Sequence, residues 1–164
     1  MSNSMKNLKE AFAGESQANR SYLAFAAKAE EEGYPLVAKR FRVAAASETV
    51  HAINHLKVMG GVKSTAENLD SSISGENYEH TSMYPSFMEE AEKEDEQEAK
   101  ISFDAANQAE KFHEAMFKEA LDNKDDVPDK AYFVCQVCGM SYENEPPEKC
   151  VVCRAPRSKI TEVK

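Results

Sequence analysis

Four cysteines stand close together near the C-terminal end of the 164-residue sequence: Cys135, Cys138, Cys150 and Cys153. They form two C-x-x-C pairs, and no other cysteine is present. Four thiolates at this spacing make a tetrahedral site for zinc or a single iron. In a reducing compartment the pattern signals a metal site rather than disulfides. Zinc there would be structural and redox-silent; iron would carry one electron. A second pattern lies upstream. Glu48 and His51 form E-x-x-H, and Glu110 and His113 repeat it. A spacing of three puts both side chains on one helical face. Phe41, Ala44, Ala45, Ile53 and Leu56 neighbour the first pair, and Phe103, Ala106, Phe112 and Phe117 the second. Acids on such apolar stripes point inward. A buried carboxylate without a partner charge is costly, and a metal ion supplies that charge.

Those pairs need elements to hold them. Residues 4–32 read as one long helix, stopped by Gly33. Pro35 opens a second helix over about 35–59, which ends at Gly60-Gly61. Ser64 and Glu67 make a capping box for a third, running to about residue 93. Pro85 lies inside it and predicts a kink or local unwinding. A fourth helix covers about 95–122. Four long amphipathic helices in so short a chain predict a four-helix bundle. Glu15 on the first helix, and Glu76 with Glu79 on the third, then reach a depth similar to that of Glu48 and Glu110. One Glu from each of two helices plus E-x-x-H from each of the others is a di-metal carboxylate constellation. Carboxylate oxygens with one imidazole per metal suit iron or manganese. Tyr22 and Tyr84 read as core residues or as second-sphere groups able to hydrogen-bond a ligand carboxylate. His55 and His80 have no ligand partner at the right spacing and read as surface or second-sphere residues. The acidic run 89–96 reads as a solvated face.

Composition narrows the function classes. Lys plus Arg is 20 and Asp plus Glu is 29, a formal net charge of −9. Such acidity disfavours nucleic acid or an anionic membrane as main partner. Apolar residues make up 41%, yet no run is long enough to span a bilayer. The first ten residues lack the apolar core of a signal peptide, so the expected location is cytoplasmic. Six Gly and six Pro disfavour a turn-rich all-β fold. The character of the chain changes near residue 123. The expected division is therefore a helical domain over 1–122, a polar linker over 123–131 and a small four-cysteine domain over 132–164. The last is too small for much of a core, so its metal should also hold it folded.

Taken together, Gly14-Glu-Ser-Gln-Ala18, Glu48-x-x-His51, Gly75-Glu-Asn-Tyr-Glu-His80 leading to Met83-Tyr-Pro85, and Ala109-Glu-Lys-Phe-His113 resemble rubrerythrin. The cysteine module resembles rubredoxin, and the likeness covers nearly the whole chain. It implies a mainly α fold, a ferritin-like four-helix bundle followed by a small rubredoxin-like β-knuckle domain. It also implies a non-haem di-iron peroxidase that reduces hydrogen peroxide to water in oxidative-stress defence. By resemblance, Glu15 and His51 are terminal ligands of one iron, with Glu79 an alternative to His51. Glu76 and His113 hold the other iron, and Glu48 and Glu110 bridge. The tetrathiolate iron (or zinc) site would re-reduce the pair when it holds iron. A rubredoxin or an NAD(P)H-dependent reductase would be the outside donor. One departure stands out: Arg154 follows Cys153, where rubredoxins usually have Gly. The aromatic set Tyr132, Phe133 and Tyr142 also lacks a Trp, and both features bear on the redox potential.

Chain connectivity adds a further expectation. A ferritin-like bundle needs its second and third helices parallel, yet a helix of 25 residues is about 38 Å long. Only residues 60–63 lie between them, a reach of about 14 Å. The expectation is a homodimer whose first two helices pack on the last two of its partner. The alternative is that residues 60–75 unwind into a crossover, against which the capping box argues. Rival functions are a ferritin-like ferroxidase or iron-storage protein, and a non-enzymatic electron carrier or redox sensor. A structural zinc ribbon on a peroxidase bundle is a third.

Overall fold

The computed structural model describes residues 2–164. Helix α1 covers Asn3–Glu31, and the Ser2 hydroxyl caps it by accepting the Met5 N–H at 3.2 Å. Gly33 then takes φ +82°, the left-handed conformation that glycine adopts without strain. Helix α2 spans Pro35–Val58, with proline in the first turn as expected. Gly60, at φ +71°, turns the chain after α2. The two helices form a hairpin, and its seam is built of small residues, Ala26, Ala29 and Ala38 with Phe41 against them. Ala45 and Ala52 are also buried, whereas the larger Leu36, Val43, Val50 and Ile53 stay exposed.

The chain divides after Lys63 into two compact units, the hairpin and Ser64–Lys164. The second begins with the expected capping box. Ser64 accepts the Glu67 N–H at 3.4 Å, and Glu67 Oε2 accepts the Ser64 N–H at 3.3 Å. The third helix is interrupted near Pro85 as expected, and runs in three pieces. Helix α3 covers Thr65–Tyr78, a π-helical turn covers Glu79–Met83, and α4 covers Tyr84–Lys93. Pro85 explains the break, because it has no N–H to give to the preceding turn. The Tyr84 N–H reaches five residues back to the Glu79 carbonyl, which is the widened register of a π turn. Helix α5 covers Gln97–Asp122. Tyr84 and Phe87 pack with Phe103 of α5, at ring distances of 5.5–6.3 Å.

The C-terminal part is a three-stranded antiparallel sheet in the order β2-β1-β3. The strands are β1 Tyr132–Cys135, β2 Ser141–Glu143 and β3 Ile160–Val163. Its small core contains Cys135, Cys150 and Ile160. The Arg157 guanidinium covers the Phe133 ring at 5.2 Å. Lys130, just before β1, donates to both oxygens of Glu119 on α5 and to Glu143 on β2 at 2.7–3.0 Å. That cation ties the sheet to the helix. Among the described residues, no helix is long and apolar enough to cross a membrane.

Candidate metal centres

The hairpin brings Glu15, Glu48 and His51 together, with one donor atom of each within 4.8 Å of the others. His51 Nδ1 lies 2.8 Å from Glu48 Oε2 and 3.8 Å from Glu15 Oε1. One turn after Glu15, the buried Asn19 donates through Nδ2 to the Ala45 carbonyl at 2.7 Å and to the Thr49 hydroxyl at 2.8 Å. Thr49 in turn donates to the same carbonyl. This neutral bridge sets the register between the helix bearing Glu15 and the one bearing Glu48 and His51. Sequence reasoning missed it, because its partners lie 26 and 30 residues away. Tyr22 lies in an aromatic cluster with Phe25 and Phe41.

The second unit gathers Glu76, Glu110 and His113 in the same way. His113 Nδ1 lies 2.7 Å from Glu110 Oε2 and 3.8 Å from Glu76 Oε2. The two trios therefore share one geometry. Glu76 Oε2 is buried without a hydrogen-bond partner. Burial, then the adjacent Glu110, pushes its carboxyl up to about 7. A buried, unpartnered carboxylate oxygen pressed against a second carboxylate and an imidazole is what a bound cation would satisfy. Glu79, at the head of the π turn, stands outside this trio but within electrostatic reach of Glu110 and His113. Burial raises its carboxyl first, and Glu110 adds to it. Tyr84 is raised by burial and then by Glu110, Glu79 and Glu76, so its phenol keeps its proton beside three carboxyls.

Two supports of this half-site escaped the sequence reading. Glu114 is buried and accepts from His80 Nε2 at 2.6 Å, Asn77 Nδ2 at 3.0 Å and Lys118 Nζ at 2.6 Å. Of the two expectations for His80, surface or second-sphere, the structure takes the second. Each α3 or π-turn partner in this network adjoins a candidate ligand: Asn77 follows Glu76, and His80 follows Glu79. The other support is Ser141 of β2, whose hydroxyl lies 3.0 Å from His113 Nε2. With Nδ1 turned to Glu110, both nitrogens of that imidazole are engaged, which fixes its orientation.

The four cysteines converge as expected, all as free thiols, with their sulfurs within 4.8 Å of one another. Cys135 and Cys153 are 3.6 Å apart, and Cys138 and Cys150 3.5 Å. The two knuckles are folded alike. The Cys135 N–H bonds to the Met140 carbonyl and the Gly139 N–H returns to the Cys135 carbonyl. The Cys150 N–H bonds to Ala155 and the Arg154 N–H returns to Cys150. Gly139 and Arg154 thus occupy equivalent positions, at φ +80° and +64°. Arg154 sits where a left-handed backbone favours glycine. Burial pushes the Cys138 thiol up to about 12. Burial also raises Cys150, but hydrogen bonds from Tyr142 and from the Cys153 and Val152 backbone outweigh it and bring that thiol down to about 6. A cluster in which Cys150 is lowered while Cys138 and Cys153 are raised is one that a cation would complete.

Comparison with known proteins agrees with this arrangement along its whole length. The family model for rubrerythrin matches residues 6–121, and that for the rubrerythrin rubredoxin-like domain matches residues 133–161. A putative rubrerythrin of Methanocaldococcus jannaschii is 39% identical over 100% of this chain and 94% of its own. Rubrerythrin-2 of Clostridium acetobutylicum is 35% identical over 93% and 92%. A solved structure of nigerythrin in a partially reduced state superposes with a TM-score of 0.59 at 31% identity, covering 99% of this chain and 88% of that one. The carboxylate–histidine donors are those of a di-iron site, and the cysteines those of a rubredoxin-like tetrathiolate site. Because both domains match in chain order and the relatives align nearly end to end, this chain belongs to the rubrerythrin family, whose di-iron and rubredoxin-like domains are consistent with a redox function in oxidative stress.

Proposed function

We propose that this protein is a non-haem di-iron peroxidase. It takes two electrons and two protons and converts one hydrogen peroxide to two water molecules. The observation that carries the reading is the pair of matched Glu/Glu/His half-sites in a chain that also holds a four-cysteine module against one of them. When bound, a ferrous pair supplies both electrons to the O–O bond at once. Glu15 and His51 would hold one iron, Glu76 and His113 the other, with Glu48 and Glu110 bridging. Glu79 stands ready as the extra carboxylate when positive charge builds. Tyr84 keeps a phenolic proton beside Glu110, Glu79 and Glu76. The Ser141–His113 contact joins the cysteine module to this half-site, and tetrathiolate iron, when bound, would be the source of its electrons. A rubredoxin or an NAD(P)H-dependent reductase supplies electrons to that iron. Two C-x-x-C pairs read as a metal site rather than as disulfides suit a cytoplasmic location. The working domains are 1–122 and 132–164, joined by a linker over 123–131, a division that the two matched ranges support.

The same proposal includes a homodimer with exchanged helices. Each half-site has three donors, and the hairpin leaves Leu36, Val43, Val50 and Ile53 uncovered. A lone two-helix hairpin has too little core to stand alone. Glu15, Glu48 and His51 of one chain would meet Glu76, Glu79, Glu110 and His113 of its partner.

The activity is tested anaerobically. Fully reduced protein is mixed with one equivalent of hydrogen peroxide and the ferric-thiolate colour is followed by stopped flow. Fast return of colour is expected; a red protein that stays bleached after peroxide overturns the peroxidase reading. Exchange is tested by co-refolding Glu48→Ala chains with Glu110→Ala chains. Heterodimers should regain one intact site, and verified heterodimers without activity rule the exchange out.

A further inference from the structure

Tyr142, on β2, is turned into the core of the cysteine module. Its hydroxyl oxygen accepts the Val151 N–H at 3.2 Å and lies 3.1 Å from Cys150 Sγ. Because the oxygen is already an acceptor for the backbone, its own proton is directed at the sulfur. Cys150 is 0% exposed, so water does not compete for that contact. The phenol and the sulfur belong to separate segments, the strand after the first knuckle and the second knuckle itself. The fold, not local sequence, makes this bond.

We propose that Tyr142 raises the reduction potential of the tetrathiolate iron by hydrogen-bonding the Cys150 thiolate. When that site takes up one electron, it gains one negative charge, much of it spread on the sulfurs. A donor bond strengthens as its acceptor becomes more negative. The hydroxyl therefore stabilises the reduced form more than the oxidised one, and hydrogen bonds to sulfur are a recognised control of such potentials. No proton moves; the O–H bond stays on Tyr142. A higher potential makes the module easier to load from an outside donor and reduces its drive to pass the electron on. Tyr142 is thus a tuning residue that balances loading of the module against onward transfer.

The inference rests on iron in the tetrathiolate site, but not on peroxide turnover. Its test is potentiometric titration of the full-length, iron-loaded protein with dithionite and mediators, following the ferric-thiolate colour. Tyr142→Phe should shift the redox equilibrium about tenfold toward the oxidised form, ~59 mV downward for one electron. Tyr132→Phe, in the same sheet, should leave the midpoint in place. Site-specific 3-fluorotyrosine at 142, a stronger donor measured at acid pH where it stays protonated, should move the midpoint upward. If Tyr142→Phe fails to hold iron, the fluorinated protein decides alone. A midpoint that neither variant shifts by as much as twofold in the equilibrium overturns the proposal. A merely structural role would lower the unfolding temperature of the zinc-loaded Tyr142→Phe protein and leave the midpoint unchanged. A wild-type chain that takes only zinc stays colourless; it overturns the iron reading along with the proposal, and is told apart because no variant then titrates.

Discussion

The two half-sites have the same donors and nearly the same distances, yet they are supported in opposite ways. In the hairpin, α1 and α2 are locked by a neutral bridge from Asn19 to Ala45 and Thr49, and both helices are regular. In the second unit the candidate ligands come from α3, a π turn and α5, and the lock is charged: Glu114 gathers His80, Asn77 and Lys118. His51 is the more open imidazole, 52% exposed against 28% for His113, which also has Ser141 behind it. Equal ligand geometry therefore does not require equal scaffolding. The half with the additional carboxylate Glu79 is the half with an irregular backbone, and that backbone needs the stronger anchor.

Removing a ligand tests the equality of the halves, and should have the largest effect. Glu48→Ala and Glu110→Ala should each lower peroxide turnover by more than about 100-fold, beyond what outer-sphere changes cause. Unequal losses in single-turnover assays would show that only one half binds iron firmly. Removing a lock tests the contrast in support. Glu114→Ala leaves His80 and Asn77 without their acceptor and should destabilise the protein by about 2 kcal/mol. Asn19→Ala should cost about 1 kcal/mol. Urea unfolding measures both, and the reverse order would remove the distinction between charged and neutral locks. Ser141→Ala should weaken iron binding by about tenfold, in the range for an outer-sphere partner of a histidine ligand. Metal-competition titration checks it, and a loss confined to one of the two irons would assign the effect to the His113 half.

The same kind of contrast recurs between the two knuckles, at smaller scale. Gly139 and Arg154 share a left-handed backbone, but only glycine adopts it without strain. Arg154→Gly should stabilise the zinc-loaded protein by about 0.5–1 kcal/mol, the relief of strain being partly offset by glycine's greater freedom when unfolded. Calorimetry reads this directly. No gain would mean that the Arg154 side chain makes compensating contacts.

Much of the site was legible because its donors lie at fixed local intervals. E-x-x-H puts two ligands on one helical face whatever surrounds it. C-x-x-C does the same for a knuckle. Ser64 with Glu67 marked a helix start, and Pro85 marked a break, through hydrogen bonds made or lost within one turn. The form of that break, a π turn beginning at Glu79, was not legible. Neither was the assignment of His80 to Glu114, which bridges 34 residues. A lone glutamate among 22 in this acidic chain carries no local sign that it will be buried.

By itself, then, the sequence determined the candidate ligand types, their spacing, the long helices and the cysteine module, since each depends on interactions within a few residues. Only the tertiary structure decided which groups steady those ligands: Asn19 against Ala45, Glu114 under the π turn, Ser141 on His113 and Tyr142 on Cys150. Those bonds join segments 8 to 34 residues apart. Their strength depends on burial that exists only once the helices and the sheet have packed.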